Sequence, residues 1–263
     1  MNQGWPRNWG LQKPPCGVPI DRGHPLAQGL IAAGLARSGE RANLATGVPT
    51  KIVGGVPVVV TTAGEMWDFS TAANDYIEFS DVACFAPPFS VVLEIMPINE
   101  VDVQICGFGG ISSAGGWAIQ KTSAGTDRLR FNIGNGVGSY DWSGYFATFG
   151  IRYAVGVTVN QNGGVATAYK NGVALSSQAC GTIPLPAASP FMLGASFRSG
   201  APLIGWAGKI NYCYLYNRVL SANEMQQLYS QPYCMFESAE PFAGDVPAAA
   251  VYETQKRRLL GAA

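Results

Sequence analysis

The sequence predicts an all-β protein of the sandwich or barrel type. Short runs of β-branched and aromatic residues recur along most of the chain, and clusters of turn-forming residues separate them. The 263 residues include 33 glycines and 17 prolines, a content typical of many turns and few long helices. Because no helical periodicity lies between the predicted strands, a parallel sheet with crossover helices is not expected. The length allows one large β-sandwich or two small domains.

Three predicted strands, 89–96, 153–160 and 208–216, alternate between two faces. The residues predicted to share one face within each of them are Phe89, Val91, Leu93 and Ile95; Tyr153, Val155, Val157 and Val159; and Ile210, Tyr212, Tyr214 and Tyr216. Further strands are predicted at 51–53, 56–60, 66–69, 76–79, 103–108, 117–120, 129–133, 165–170 and 191–195. The stretch Lys170–Val173, KNGV, is a strong hairpin signal, because Asn-Gly favours a tight turn between antiparallel strands. Many short strands at this spacing favour a sandwich or barrel.

One short helix is predicted directly after the last strand. Ser221 and Glu224 have the spacing of a capping box, in which two side chains satisfy two free backbone N–H groups at a helix start. Met225, Leu228 and Tyr229 form the apolar stripe that follows. We expect the helix to end before Pro232, which cannot continue it.

The two ends of the chain are predicted to lie outside the main domain. We expect residues 1–25 to form an extended, proline-rich arm, residues 26–232 to form the domain, and residues 233–263 to form an irregular tail. The two tryptophans of the arm need a surface that buries them, either the domain itself or a neighbouring subunit. The candidate partner-binding residues of the arm are Trp5, Trp9, Pro14, Pro15 and His24.

The charge content excludes two classes of partner. The 17 basic and 17 acidic residues cancel, and charged residues make up only 13% of the chain. Such a chain has no long-range field that attracts nucleic acid or an anionic membrane, so neither is expected as a partner. A surface with so few charges is better explained if a protein partner covers part of it.

Six cysteines are scattered along the chain without a C-x-x-C pair, which argues against a structural zinc site. The segment Met1–Pro6 lacks the basic and apolar parts of a signal peptide. No apolar run reaches the roughly 18 residues that span a bilayer. We therefore expect reduced, mostly buried cysteines in a protein made in a cytosol.

The stretch Gly205–Glu224, GWAGKINYCYLYNRVLSANE, resembles the closing strand and helix of the laminin-G-like, concanavalin-A-type jelly roll. Three other stretches resemble landmarks of that family in the same order, namely 69–79, 89–94 and 157–172. The resemblance covers roughly residues 26–232 and implies a jelly-roll β-sandwich, here with an N-terminal arm, one short C-terminal helix and an irregular tail.

The segments at both ends of the domain resemble laminin-G-like proteins encoded by tailed bacteriophages. The likeness rests on Pro14–Gly17, His24–Leu30 and Tyr229–Phe236, whereas residues 36–40 depart from the acidic loop of those proteins. It implies a virion location and a non-enzymatic structural role. Our leading hypothesis is a capsid decoration protein that binds the major capsid protein or other virion proteins through its arms, as a homotrimer or other symmetric oligomer. The alternative is an adhesion or fibre-associated module that binds host glycans.

A degenerate glycoside hydrolase is the least favoured hypothesis. The stretch Glu100–Gln104, EVDVQ, resembles the E-x-D-x-E strand of jelly-roll glucanases, in which alternate carboxylates act as nucleophile, helper and acid/base. Gln104 occupies the third position and cannot transfer the proton, so the retaining mechanism fails. His24 is the only histidine, and we expect it to have a structural role rather than to belong to a catalytic triad. We predict that the protein is not an enzyme.

Two further sets of candidate residues concern ligands. The aromatic residues Tyr140, Trp142 and Tyr145 alternate with Asp and Ser, which is typical of a glycan contact and equally of a packed interface loop. The family resemblance implies that a Ca²⁺ ion is an option at the rim of the sandwich, although no cofactor is required. Weak candidates for its ligands are Asp68, Asp75 and Asp81, for which surface turns are the alternative explanation.

Overall fold

The computed structural model describes residues 13–61, 64–69, 75–98, 103–110, 115–122, 127–134, 137–185, 189–198, 201–203 and 205–237. These residues form seventeen strands, one 3₁₀ turn and one α-helix. In chain order the strands are β1 (Leu30–Leu35), β2 (Lys51–Val53), β3 (Val58–Thr61), β4 (Gly64–Phe69), β5 (Tyr76–Ala83), β6 (Phe89–Pro97), β7 (Val103–Gly110), β8 (Gly115–Thr122), β9 (Arg128–Ile133), β10 (Gly138–Trp142), β11 (Tyr153–Val159), β12 (Val165–Lys170), β13 (Val173–Ala179), β14 (Pro190–Leu193), β15 (Ser196–Arg198), β16 (Ala201–Leu203) and β17 (Gly208–Tyr216).

The strands form two antiparallel sheets that pack face to face. The eight-stranded sheet has the order β13-β12-β11-β6-β17-β4-β3, and β1 pairs with the second half of β17. The nine-stranded sheet has the order β10-β9-β8-β7-β14-β5-β2, and the hairpin β15-β16 joins it at β7. The fold is a jelly-roll sandwich, and the predicted fold class is confirmed.

The main core lies between the two sheets and is largely aromatic at its centre. The ring of Phe89 on β6 stacks on Trp117 of β8 with centroids 4.7 Å apart, and Phe108 meets the same indole edge-on at 5.4 Å. The Phe89–Trp117 contact joins one sheet to the other, whereas Phe108 and Trp117 are neighbours within the nine-stranded sheet. The faces predicted for 89–96 and 153–160 are confirmed, because all their alternating apolar residues belong to this core.

The face predicted for the last strand is wrong beyond its third residue. A register shift between Ile210 and Tyr212 leaves Asn211 as the extra residue of a β-bulge in the pairing with β6. Ile210 therefore faces the main core, whereas Tyr212 and the tyrosines that follow point outward into a second apolar cluster. Cys213 and Leu215 take their places in the main core.

The second cluster covers part of the outer face of the eight-stranded sheet, beneath the helix α1 (Ala222–Ser230). Ser221 is the N-cap, and its capping box with Glu224 is complete, as predicted. Met225 and Leu228 are buried against the sheet. Tyr229 is 44% exposed and thus lies outside the buried stripe to which the sequence assigned it.

The described parts of the two end segments pack side by side on this same face. Ile20 forms an isolated antiparallel bridge with Phe236, and the Glu237 N–H donates to the Pro19 carbonyl at 2.9 Å. Ile20, Met235 and Phe236 are all buried in the second cluster. Residues 13–25 and 233–237 are therefore part of the domain surface rather than free arms. Trp5 and Trp9 lie outside the described residues.

All six cysteines are free in the structure; Cys106, Cys180 and Cys213 are buried, Cys84 and Cys234 are partly buried and Cys16 is exposed. The expectation of buried cysteines therefore holds for three of the six. Among the helices of the described residues, none is both long and apolar enough to cross a membrane.

Candidate functional site

A cleft of about 680 Å³ opens on the outer face of the eight-stranded sheet. Its floor is formed by β6, β11 and the bulged part of β17, and the start of β4 forms one wall. The C-terminal end of α1 and the residues after it form another wall, and Lys13 lies at the edge. The volume lies within the range of small-molecule binding sites.

An ion pair lies on the floor of the cleft. Glu94 occupies an outward position on β6, because its neighbours Leu93 and Ile95 both face the main core. Its Oε1 accepts a hydrogen bond from Nη1 of Arg152 at 2.9 Å. The Glu94 side chain is 12% exposed and the Arg152 side chain is 51% exposed, so a partly desolvated carboxylate is paired with a solvent-facing guanidinium.

Asn211 contributes a buried amide beside this pair. The residue is 2% exposed, and its Nδ2 donates to the Tyr233 hydroxyl at 2.9 Å. Its Oδ1 is also buried and has no hydrogen-bond partner among the described residues. A buried polar atom without a partner costs about 1–3 kcal/mol, so such atoms are uncommon in folded domains.

The Tyr233 hydroxyl is protonated at neutral pH. Burial raises the pKa of this hydroxyl well above its ordinary value, and the negative charge of Glu94 raises it further. The hydroxyl accepts a hydrogen bond from Asn211 and keeps its own proton for donation.

Lys13 closes one side of the cleft. Its Nζ donates to the backbone carbonyls of Ala36 at 2.8 Å and Glu65 at 2.7 Å. Burial lowers the pKa of Lys13 to about 8, against the opposing attraction of the Glu65 and Glu94 carboxylates. The charged side chains that line the cleft are two cations, Lys13 and Arg152, and two anions, Glu65 and Glu94, so their formal charges cancel.

The rim of the cleft carries a turn and an aromatic ring. Asn171 lies in the β12–β13 hairpin at φ 51°, the left-handed conformation that the Asn-Gly signal predicts, and its Oδ1 accepts from the Ala154 N–H at 2.9 Å. The partly exposed ring of Tyr229 also lines the cleft. An aromatic ring beside convergent polar groups is suited to a ligand with both apolar and hydroxyl faces.

The three aromatic residues for which the sequence left open a glycan contact or a packed interface loop lie outside the cleft, and the burial of two of them contradicts an exposed glycan contact. Trp142 is 3% exposed and Tyr145 is 1% exposed. The Trp142 indole donates to the Ser176 carbonyl at 2.7 Å, and the Tyr145 hydroxyl donates to the Ala154 carbonyl at 3.2 Å. Tyr140 is half-buried, and its hydroxyl accepts from the Gly181 N–H at 2.7 Å. Gly138–Trp142 is strand β10 and not a loop.

The three aspartates proposed as calcium ligands do not meet. Asp68 pairs with Lys209 at 3.0 Å, Asp75 accepts from the Gly55 N–H at 3.0 Å, and Asp81 accepts from Asn43 and Thr46. Within the described part of the chain, no group of three His, Cys, Asp or Glu side chains is placed to hold a metal ion.

The remaining candidates have structural contacts. Gln104 is buried, and its Oε1 accepts from the Ser196 hydroxyl at 3.1 Å. Glu100 and Asp102 lie outside the described residues. His24 caps the 3₁₀ turn Pro25–Ala27 with its Nδ1, which accepts from the Leu26 N–H.

Of the two arm prolines that were candidate partner-binding residues, Pro14 is buried and Pro15 is exposed. The carbonyls of both residues accept hydrogen bonds from the Arg37 guanidinium. This contact holds the start of the described chain against the domain.

The sequence profile of the Concanavalin A-like lectin/glucanases superfamily matches residues 71–226. The chain belongs to this superfamily. The laminin-G-like resemblance is thereby confirmed, and the described jelly-roll architecture agrees with it. No curated protein sequence matches the chain.

Solved structures with this fold include bacterial binding domains. Domain 4 of the extracellular GH43 arabinanase AbnA from Geobacillus stearothermophilus, in complex with arabinotriose, superposes with a TM-score of 0.58 at 17% identity, covering 77% of this chain and 98% of that one. The binding domain of Paraclostridial Mosquitocidal Protein 1 superposes with a TM-score of 0.58 at 15% identity, covering 78% of this chain and 52% of that one. The binding domain of botulinum neurotoxin serotype D/C VPI 5993 superposes with a TM-score of 0.60 at 13% identity and with the same coverage of both chains. This chain thus spans about half of each toxin binding domain.

The cleft residues were missed at the sequence level, although a signal existed for two of them. Glu94 and Asn211 are polar residues in the interior of largely apolar central strands. A polar residue at such a position needs a partner or a ligand on the outer face. Lys13, Arg152 and Tyr233 come from distant segments, and only the fold brings them to the same place.

Proposed function

We propose that this member of the lectin/glucanase superfamily is a non-catalytic carbohydrate-binding domain whose ligand occupies the cleft. The observation that carries this proposal is that one cleft is lined both by the Glu94–Arg152 ion pair, whose carboxylate is partly desolvated, and by the exposed Tyr229. Carbohydrate sites combine a few oriented polar groups with an aromatic face in this way. The arabinotriose complex of the arabinanase domain supports carbohydrate as the ligand class for this fold.

The test is binding of the purified chain to an oligosaccharide array, followed by titration calorimetry with any positive sugar. We expect Arg152→Ala to weaken binding by about tenfold, because a charged hydrogen bond and its partner's orientation are lost. The matched control is Lys51→Ala, which removes an exposed cation from the other sheet. The Nζ of Lys51 lies 3.6 Å from Oε2 of Glu78. If sugar binding on the array is unchanged in Arg152→Ala but abolished in Lys51→Ala, the cleft is not the binding site.

The proposal includes the absence of turnover. Gln104 replaces the third carboxylate of the glucanase pattern, and its amide is engaged by Ser196 in the interior. We expect no hydrolysis of laminarin by the pure protein in an assay of reducing ends. Hydrolysis that the Glu100→Gln variant abolishes would overturn this part of the proposal.

A second candidate function is that of a bacteriophage capsid decoration protein. The observation that favours it is the pairing of Ile20 with Phe236, which docks both end segments on one face of the domain. In this proposal the major capsid protein or another virion protein covers that face, and the subunit is a homotrimer or other symmetric oligomer. Neither nucleic acid nor a membrane is a partner, and no cofactor is required.

Mass spectrometry of purified virions tests this second role, because it gives presence and copy number together. Deletion of residues 1–12, which spares the packed residues 13–25, is expected to lower occupancy on particles if the arm contacts the capsid. A light-scattering mass of the pure protein checks for a symmetric oligomer. Absence of the chain from virions would overturn this candidate and leave the carbohydrate proposal standing.

A further inference from the structure

We infer that the cleft selects an uncharged saccharide and that Asn211 is its specificity-determining residue. This inference rests on the proposed carbohydrate function and adds the class of ligand and the residue that recognises it. Three observations carry it: the buried amide of Asn211, the balanced charges around it, and the place of the cleft in the sandwich.

The Asn211 amide has one unpaired end, which suits a hydroxyl-bearing ligand. One end of the amide bonds to the Tyr233 hydroxyl at 2.9 Å, and the other end is buried without a partner among the described residues. A hydroxyl group both donates and accepts hydrogen bonds, so it satisfies the free end of the amide in either orientation of the side chain. Asn211 lines the cleft, and a rotation of its side chain that brings the unpaired end to the cleft surface lets a sugar hydroxyl bond to it. The gain from satisfying that polar atom selects ligands that place a hydroxyl there.

The charges select against ionic ligands. An anionic group near Asn211 meets the Glu94 carboxylate, whose Oε1 accepts a hydrogen bond from Arg152 while the other oxygen is not bonded to Arg152. A cationic group meets Lys13 and Arg152. Because the formal charges of these side chains and Glu65 sum to zero, neither sign of ligand charge gains from the cleft as a whole. A neutral saccharide keeps the ion pair intact and adds hydrogen bonds to it.

The site lies on the sheet opposite the one that carries the glucanase-like strand. Asn211 and Glu94 belong to β17 and β6 of the eight-stranded sheet, whereas Gln104 belongs to β7 of the nine-stranded sheet. A bulge places Asn211 on the outer face, since it interrupts the alternation between Ile210 and Tyr212. The cleft is therefore a separate surface from the outer face of the nine-stranded sheet, where Asn132 lies between two inward-facing residues of β9.

The experiment uses the full chain and a matched pair of probes, a galactan trisaccharide and the corresponding galacturonan trisaccharide, together with an array of neutral and acidic sugars. We expect binding to neutral sugars and weaker binding to their acidic counterparts. Asn211→Asp keeps the shape but adds a charge, and we expect it to weaken neutral-sugar binding by at least about fivefold. The matched control is Asn132→Asp on the opposite sheet, which is expected to bind like the parent.

A second variant keeps the test independent of any folding defect at position 211. Glu94→Gln retains the shape of the side chain and removes one negative charge, so we expect the acidic probe to gain about three- to tenfold relative to the neutral one. Preference of the parent for the acidic probe overturns the inference, and so does neutral-sugar binding that depends on Asn132 and not on Asn211. In those cases carbohydrate binding itself survives. A parent protein that binds no sugar on the array overturns the proposed function together with the inference.

Discussion

The indole N–H of Trp142 donates a hydrogen bond to the carbonyl oxygen of Ser176 at 2.7 Å and thereby joins the edges of the two sheets. Trp142 ends β10, the edge strand of the nine-stranded sheet, and Ser176 lies in β13, the edge strand of the other. A second bond runs between the same strands, from Gln178 Nε2 to the Asp141 carbonyl at 2.8 Å. Side chains thus close the sandwich where no backbone ladder connects the sheets.

Trp142→Phe is expected to destabilise the domain by about 1–3 kcal/mol, because it removes this bond and leaves a small cavity in the core. Urea denaturation measures the change. The same variant is expected to bind sugars like the parent, since the Trp142 ring is buried away from the cleft. Parent-like stability combined with lost sugar binding would restore Trp142 as a glycan contact.

Ser221→Ala is expected to cost about 1 kcal/mol, because the Ser221 side chain accepts from the Glu224 N–H at the start of α1. The matched control is Ser230→Ala at the other end of the helix, where the hydroxyl donates only to the Gln227 carbonyl at 3.2 Å. We expect the control to change stability by less than about 0.5 kcal/mol. Equal effects of the two substitutions would show that the capping box contributes little.

Cys16 is expected to react first with a thiol reagent in the native protein, because it is exposed while Cys106 and Cys213 are fully buried. Burial also raises the pKa of the Cys106 and Cys213 thiols, which keeps them from forming the reactive thiolate. Peptide mapping after a short exposure to iodoacetamide at about pH 8 measures the order of labelling. Cys16→Ser serves as the control that removes the fast site. Early labelling of Cys106 would contradict the described core.

The lowered pKa of Lys13 predicts how the stability of the fold changes with pH. Its pKa is about 8 in the folded chain against an ordinary value of 10.5, because burial disfavours the charged form. Between these two values the unfolded chain holds more protons at Lys13 than the folded one, so this group makes folding more favourable as pH rises, by at most about 1.4 kcal/mol per pH unit.

In Lys13→Met this contribution is absent. The stability of the parent relative to the variant is therefore expected to increase between about pH 7 and pH 9.5, measured by urea denaturation of both proteins. The tyrosines and cysteines contribute equally to the pH dependence of stability in both proteins, so their contributions cancel in the difference. A difference that stays constant or falls with pH would show that Lys13 is not held in the buried position described.

Local patterns account for the parts of the fold that the sequence predicts well. The alternation in 89–96 and 153–160 reports two buried strands directly, because side chains on a strand alternate between faces whatever the partner strand is. The capping box at Ser221 and the Asn-Gly turn at Asn171 are satisfied within a few residues, so their outcome is independent of the rest of the chain.

Sequence patterns were least informative where a contact joins distant residues. Trp142 lies in a stretch whose composition is typical of an exposed glycan contact, and only its contact with β13 shows that the indole is buried. Pro14 was assigned to an arm, yet the guanidinium of Arg37 binds its carbonyl and holds it against the domain. In each case the partner lies more than twenty residues away, beyond the reach of a local pattern.

The sequence by itself determined the class of this protein: an all-β jelly roll with a capped helix after its last strand. The tertiary structure alone decided where the proposed binding cleft lies. A single extra residue in β17 turns the following tyrosines outward and leaves the Asn211 amide buried beside Glu94. The reason is physical: a bulge is defined by the pairing of two strands, and the partner strand β6 lies more than one hundred residues earlier in the chain.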